Sequence, residues 1–195
     1  ILVTDGELLD STTFTVTVNP VNDTPILDIT ENQTIDEDNQ LAVVLNAYDV
    51  DGDNLYYGAE VDGNANFSVQ DNILTISPNQ DWYGDIMVTV SVTDTQLADT
   101  NSFTLTVNPL NDSPVLSFIA DQEINEDDSI SLNINASDID GDDLVYDVQL
   151  VTGDGSLSLS DTQITFDPSS DWFGNASVYV SVTDGEYIVE QEFNI

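Results

Sequence analysis

The sequence repeats itself with a period of about 89 residues, and this periodicity constrains the architecture more than any other feature. The Asn-Asp-Thr-Pro of residues 22–25 returns as Asn-Asp-Ser-Pro at residues 111–114. The Asp-Val-Asp-Gly-Asp of residues 49–53 returns as Asp-Ile-Asp-Gly-Asp at residues 138–142. Other recurrences are Glu37-Asp38 with Glu126-Asp127, Asp81-Trp82 with Asp171-Trp172, Val92-Thr93-Asp94 with Val182-Thr183-Asp184 and Val3-Thr4-Asp5, and 103–109 with 14–20. Self-similarity at this distance predicts a tandem array of one structural unit.

The recurrences also place the boundaries of the repeats. Prolines flank two short linkers, with Pro20 and Pro25 at the first and Pro109 and Pro114 at the second. We expect residues 1–20 to be the C-terminal strands of a truncated repeat, residues 21–109 to be a complete repeat, and residues 110–195 to be a repeat that lacks the end of its last strand. Because an isolated two-stranded hairpin is marginally stable in water, the first segment is expected to need support.

Each repeat contains about seven short apolar runs, separated by turn residues, and none of them has a helical period. In residues 86–92, for example, Ile86, Val88, Val90 and Val92 alternate with polar side chains, which puts one face of a strand in a core. The pattern predicts an all-β chain of tandem seven-stranded Greek-key sandwiches, joined end to end by the short linkers.

The charge of the chain implies a cationic partner. The sequence has 38 Asp and Glu and no Lys, Arg or His, so its formal net charge is -38. Two carboxylates at about 4 Å repel by roughly 1 kcal/mol in water and about 4 kcal/mol near a protein surface. Disorder is the alternative for so charged a chain, but 40% of the residues are apolar and they are patterned, which favours a folded protein.

The absent residue types exclude several classes of function. Without Lys or Arg the chain has no phosphate clamp and no attraction to nucleic acid or anionic lipid, so neither is expected as a partner. Without Cys or His it has no thiol nucleophile, no imidazole base and no conventional zinc site. No apolar run approaches the length of a membrane span, and any export signal is expected outside these residues. The remaining oxygen ligands suit Ca²⁺.

The Asp-x-Asp-Gly-Asp segments are the strongest candidates for a calcium site, because alternate carboxylates around a glycine turn can converge on one hard cation. They do not match a helix-loop-helix calcium loop, since Gly52 is the fourth residue and not the sixth. The twelfth residue is Glu60 in one repeat and Gln149 in the other. A solvated acidic turn is the alternative, although it would have to occur twice.

The order of these motifs resembles that of cadherin repeats and of the cadherin-like tandem repeats in large bacterial surface adhesins. The resemblance covers the whole chain and implies sandwiches of the cadherin/Ig-like type with calcium ions shared between successive repeats. The ligands that it and the acidic turns imply are Asn22, Asp23, Glu37, Asp49, Asp51, Asp53, Asp81, Asp94, Asn111, Asp112, Glu126, Asp138, Asp140, Asp142, Asp171 and Asp184. Pro20 and Pro109 stand where cadherin linkers usually carry an Asp, so the number of ions per linker stays open.

These patterns predict a function in the extension region of a long extracellular adhesin or filament protein at a bacterial surface. Its expected partners are calcium ions and neighbouring repeats of the same chain. One alternative is a module that binds polysaccharide or other copies of itself. A glycosidase with two carboxylates is another, but the acids recur with the fold and form no unique pair, so no enzymatic activity is expected. Trp82 and Trp172 are interpreted as core anchors, with stacking on sugar as the alternative.

Overall fold

The computed structural model describes residues 1–195 and contains nineteen β-strands and no helix. The chain divides into two compact units, Ile1–Asn108 and Pro109–Ile195. No helix of a length and apolarity that could span a membrane is present. The predicted all-β class is confirmed.

Strands β1 to β11 belong to the first unit. They are β1 (Leu2–Thr4), β2 (Leu9–Ser11), β3 (Ile26–Leu27), β4 (Gln33–Asp36), β5 (Leu41–Val44), β6 (Ala47–Tyr48), β7 (Tyr56–Val61), β8 (Ala65–Gln70), β9 (Ile73–Pro78), β10 (Gly84–Thr93) and β11 (Ala98–Asn108). One sheet has the order β4-β11-β10-β7, and the opposing layer is formed by β5-β9-β8 with the short pair β3-β6. If β3 with β4 and β5 with β6 each count as one interrupted strand, β3 to β11 fill the seven positions of an Ig-type sandwich.

Alternation along the long strands builds the core of this unit. In β10, Ile86, Val88, Val90 and Val92 are fully buried, as the sequence pattern predicts, and the intervening side chains lie on the other face. From β9, Leu74 and Ile76 reach the same core from the opposing layer. Strand β4 pairs in parallel with the end of β11, whereas the other neighbours within the two sheets are antiparallel.

Strands β12 to β19 form the second unit. They are β12 (Val115–Leu116), β13 (Ile130–Asn133), β14 (Ala136–Ser137), β15 (Val145–Thr152), β16 (Gly155–Ser160), β17 (Gln163–Pro168), β18 (Ser177–Thr183) and β19 (Ile188–Asn194). The sheets are β15-β18-β19, β13-β17-β16 and β12-β14. No strand here corresponds to β4, which in the first unit pairs with residues 105–108 of β11. A backbone bond from the N–H of Gln122 to Asn194 O (2.8 Å) takes its place.

Residues 1–20 form less structure than the repeat pattern suggests. Strands β1 and β2 form a hairpin in the same register as the end of β10 and the start of β11. The run Phe14–Val18 has no strand, although the matching run in β11 is central to its sheet. In β11 that run pairs with residues 84–88 of β10, whereas no strand pairs with residues 14–18.

Thr95 occupies a strained backbone conformation in the turn between β10 and β11. Its φ is +85°, a region that a β-branched residue rarely adopts, while the matching residues Gly6 and Gly185 have φ of +98° and +103°. We expect Thr95→Gly to raise the free energy of unfolding of the first unit by about 1 kcal/mol, because the relieved strain exceeds the entropy cost of a glycine. Urea denaturation measures the change. Gly185→Thr is the reciprocal control and should destabilise the second unit, and a loss of stability in Thr95→Gly would contradict the account.

Candidate cation site

The Asp-x-Asp-Gly-Asp segment of the first unit folds into a tight turn organised by Asp49. Asp49 Oδ1 accepts hydrogen bonds from the backbone N–H of Asp51 (2.9 Å) and of Asp53 (3.3 Å). The N–H of Gly52 donates to the carbonyl oxygen of Asp49 (3.3 Å), and Gly52 has a φ of +78°, which favours glycine. The sequence therefore places alternate aspartates around one concave turn.

The three aspartates of this turn each bring one carboxylate oxygen within 4.8 Å of the others. Asp49 is only 6% exposed, and its Oδ2 is buried without a hydrogen-bond partner. A buried carboxylate oxygen without a donor or counterion is costly. Since the chain has no Lys, Arg or His, the protein itself supplies no cationic side chain to neutralise it. A hard cation with oxygen ligands fits this donor set.

The second unit contains the same arrangement. Asp138 Oδ1 accepts bonds from the N–H of Asp140 (2.9 Å) and of Asp142 (3.4 Å), and Asp138 Oδ2 is again buried without a partner. The carboxylates of Asp138, Asp140 and Asp142 also lie within 4.8 Å of one another. A solvated acidic turn would not need to bury the same oxygen in both repeats, so the recurrence favours a cation site.

In each unit, the linker residues are hydrogen-bonded to the sandwich that follows them. The N–H of Asp23 donates to Asp51 Oδ2 (2.8 Å), and the Asn22 amide donates to Asp94 Oδ2 (2.8 Å). In the second unit, Asp112 donates to Asp140 (2.8 Å) and Asn111 to Asp184 (3.0 Å) in the same way. The structure thus gathers the predicted residues of each linker around the turn of the repeat that follows it.

Asp94 and Asp184 hold the linker asparagines and do not join the close groups of carboxylates. Asp94 Oδ1 accepts bonds from the N–H of Gln96 (2.6 Å) and of Leu97 (2.7 Å). The Leu97 N–H, with the Asn22 amide and the Gln96 N–H, lowers the pKa of Asp94 below its usual value. This carboxylate is therefore already well supplied with donors, and its observed role is to position Asn22.

The remaining predicted ligands lie elsewhere within their own units. Glu37 is buried directly after β4, where its N–H donates to Asn108 O (2.9 Å), and Asp81 precedes β10. Within each unit, neither these residues nor their counterparts Glu126 and Asp171 belong to the acidic-turn group. Their role as ligands in a linker site stays a prediction.

Two aspartates that are not among the predicted ligands, Asp38 and Asp127, also bind the segments that contain Asp81 and Asp171. Asp38 Oδ1 accepts the N–H of Asp81 (3.1 Å), and Asp127 Oδ1 accepts the N–H of Asp171 (3.0 Å). All four have positive φ, between +53° and +67°. The recurrence of Glu-Asp at 37–38 and 126–127 was the available signal, since Asp tolerates this backbone region better than most residues.

The tryptophan of the first repeat packs against the core. Trp82 is half-buried and contacts the hydrophobic cluster that contains Ile86 and Leu105. This packing supports its interpretation as a core anchor and leaves less of its ring for stacking on a sugar.

Comparisons with known proteins agree with the observed fold. No curated protein matches the sequence. Among solved structures, Drosophila N-cadherin EC1-4 is similar over 89% of this chain and 48% of its own, with 14% identity and a TM-score of 0.52. Human protocadherin-24 EC1-2 is similar over 89% of this chain and 97% of its own, with 16% identity and a TM-score of 0.47.

An endo-fucoidan hydrolase of glycoside hydrolase family 107 has 17% identity and a TM-score of 0.40. The similarity covers all of this chain but only 32% of the hydrolase, so it says nothing about activity here. The sequence model of the bacterial Ig domain family matches residues 22–108 and, a second time, residues 111–195. The predicted cadherin-like and Ig-like tandem repeats are confirmed, and the chain belongs to the bacterial Ig domain family.

Proposed function

We propose that the chain is a calcium-stiffened spacer in a long extracellular adhesin or surface filament protein of a bacterium. Domains of the bacterial Ig family are commonly found on extracellular or cell-surface proteins. Tandem repeats of one sandwich give a protein length, and length holds a terminal binding domain away from the cell. The role is structural and not catalytic.

The observation that carries the proposal is the buried, unpartnered Oδ2 of Asp49, at the centre of a carboxylate group that recurs in the second unit. Asp49, Asp51 and Asp53 would hold the ion in the first unit, and Asp138, Asp140 and Asp142 in the second. Extracellular calcium sites of moderate affinity have dissociation constants of about 10⁻⁴ to 10⁻³ M, which suits a surface protein in millimolar calcium.

The hydrogen bonds of the linker explain how a bound ion would stiffen the chain. Asp51 would bind the ion, and its Oδ2 also accepts the N–H of the linker residue Asp23. Without the ion, neighbouring carboxylates repel by about 4 kcal/mol at 4 Å near a protein surface, and the turn that holds the linker loosens. Bound calcium removes this repulsion and fixes the linker backbone. The resemblance to cadherins adds Glu37 and Asp81 as ligands for the linker at residues 109–114, with Glu126 and Asp171 as their counterparts in the second repeat.

Small-angle X-ray scattering of the 195-residue chain tests the proposal. In millimolar calcium we expect a larger maximum dimension and a less flexible particle than in excess EDTA. The matched control is the Asp49→Asn/Asp138→Asn double variant, which should give the same profile in both buffers because it has lost the calcium site. Identical profiles for the native chain, with calcium binding shown by calorimetry, would refute the spacer mechanism but leave the cation site in place.

That outcome would favour the alternative of a module that binds polysaccharide or other copies of itself. Exposed aromatic side chains are available for such contacts, including Tyr48 (64% exposed) and Phe118 (84% exposed). A glycan array and sedimentation equilibrium would distinguish sugar binding from self-association. Loss of glycan binding in Tyr48→Ala, with an unchanged fold, would support the sugar-binding alternative.

A further inference from the structure

The two copies of the candidate cation site differ in charge at two positions. Asn54 follows Asp53 in the first unit, whereas Asp143 follows Asp142 in the second. In the turn after β10 the first unit has Gln96, and the matching turn of the second unit has Glu186. The second copy therefore has two more carboxylates than the first in these segments.

In the first unit, the Gln96 side chain would compete with a cation for the side-chain oxygen of the linker residue Asn22. Its side-chain amide donates to Asn22 Oδ1 (3.3 Å), while the Asn22 amide donates to Asp94 Oδ2 (2.8 Å). The carbonyl oxygen of Asn22 is thereby engaged before any ion arrives.

This competition has no counterpart in the second unit. The backbone of the turn is the same there, since the N–H of Glu186 donates to Asp184 Oδ1 (2.7 Å) and the Asn111 amide donates to Asp184 Oδ2 (3.0 Å). An ionised Glu186 side chain has no N–H to offer, so it cannot bond to the carbonyl oxygen of Asn111. That oxygen stays available to a cation.

We infer that the two repeats bind a divalent cation with graded affinity, tighter in the second, and that residues 54 and 96 and their counterparts 143 and 186 set the difference. The inference rests on the proposed calcium site. Added negative charge near a divalent ion increases its affinity, and two additional carboxylates, partly screened by solvent and salt, give a ratio on the order of tenfold. The second repeat then fills first as calcium rises.

Isothermal titration calorimetry on variants with one site each measures the two affinities. Asp49→Asn/Asp51→Asn leaves the second site, and Asp138→Asn/Asp140→Asn leaves the first. We expect a dissociation constant roughly tenfold lower for the second site at low ionic strength, and a smaller ratio in 0.5 M KCl, where the Debye length is about 4 Å.

Exchanging these residues between the two repeats separates their effect on affinity from the effect of the rest of each repeat. Asn54→Asp/Gln96→Glu is expected to tighten the first site about tenfold, and Asp143→Asn/Glu186→Gln to weaken the second by a similar factor. The backbone amide signals of Asp23 and Asp112 are site-resolved NMR probes in the native chain, because each N–H bonds to a carboxylate of its own turn.

The calcium titrations distinguish a failure of the proposed calcium site from a failure of the graded affinity. If neither amide responds to calcium, the proposed site itself is wrong, and the inference falls with it. If both amides titrate at one calcium concentration and the exchanges leave the affinities unchanged, the site stands and the graded affinity is overturned. Earlier saturation of Asp112, with the order reversed when both exchanges are combined, supports the inference.

Discussion

Calcium at 100 times its dissociation constant is expected to raise the melting temperature of each of the two repeats by roughly 10–20 °C over its value in EDTA. One bound ion at that ratio adds about 2.7 kcal/mol to the free energy of unfolding. In a domain of 60–100 residues, each kcal/mol corresponds to about 4–8 °C. Differential scanning calorimetry in calcium and in EDTA measures the shift.

The variant Asp49→Asn makes this prediction more specific. Its amide oxygen can still accept the two backbone bonds that Asp49 Oδ1 accepts, and its nitrogen replaces the buried Oδ2 with a donor facing the neighbouring carboxylates. We therefore expect the variant to lose the calcium-dependent gain in the first unit and to be at least as stable as the native chain in EDTA.

Asp71→Asn is the matched control. Asp71 is exposed, has a φ of +54° that Asn also tolerates, and belongs to no close carboxylate group. This variant should keep the full calcium response. A native chain that melts at the same temperature in calcium and in EDTA would contradict the site.

Phe103→Ala is expected to destabilise the first unit by about 3–5 kcal/mol, because it removes a buried aromatic side chain and leaves a cavity. Phe103 is 3% exposed and belongs to the core of that unit. Urea denaturation followed by the fluorescence of Trp82, in a Trp172→Phe background, reports on this unit.

The chain contains its own control for this substitution. Phe14 occupies the same position of the repeated motif as Phe103 but is 69% exposed. Phe14→Ala should change the stability by no more than about 0.5 kcal/mol. An equally large loss from Phe14→Ala would mean that this side chain is packed in solution.

The contrast between Phe14 and Phe103 shows what the sequence could and could not predict about the fold. The repeat and the alternation in β10 predicted the sandwiches and their core, because burial of one strand face follows directly from period-two patterning. The same reasoning predicted strands for residues 1–20, but pattern alone does not supply a partner strand. Only the hairpin formed there, since its two strands pair with each other.

The candidate site shows a similar division. The spacing of the aspartates predicted that Asp49, Asp51 and Asp53 would converge, because a glycine turn brings alternate side chains together. The sequence did not reveal that Asp94 would position Asn22 through a hydrogen bond. That role depends on which donors the turn after β10 presents, and such donors become visible only when the loops are in place.

Each linker is hydrogen-bonded to the repeat that follows it, and this has a consequence for how such proteins change during evolution. A gene segment that begins at the codon of Asn22 and ends before that of Asn111 encodes a sandwich together with the asparagine and the five aspartates that make these contacts. Duplication or deletion of that segment adds or removes a whole module and leaves these contacts intact in the neighbouring copies. The number of repeats in the protein can therefore change by recombination alone, without a compensating mutation in any turn.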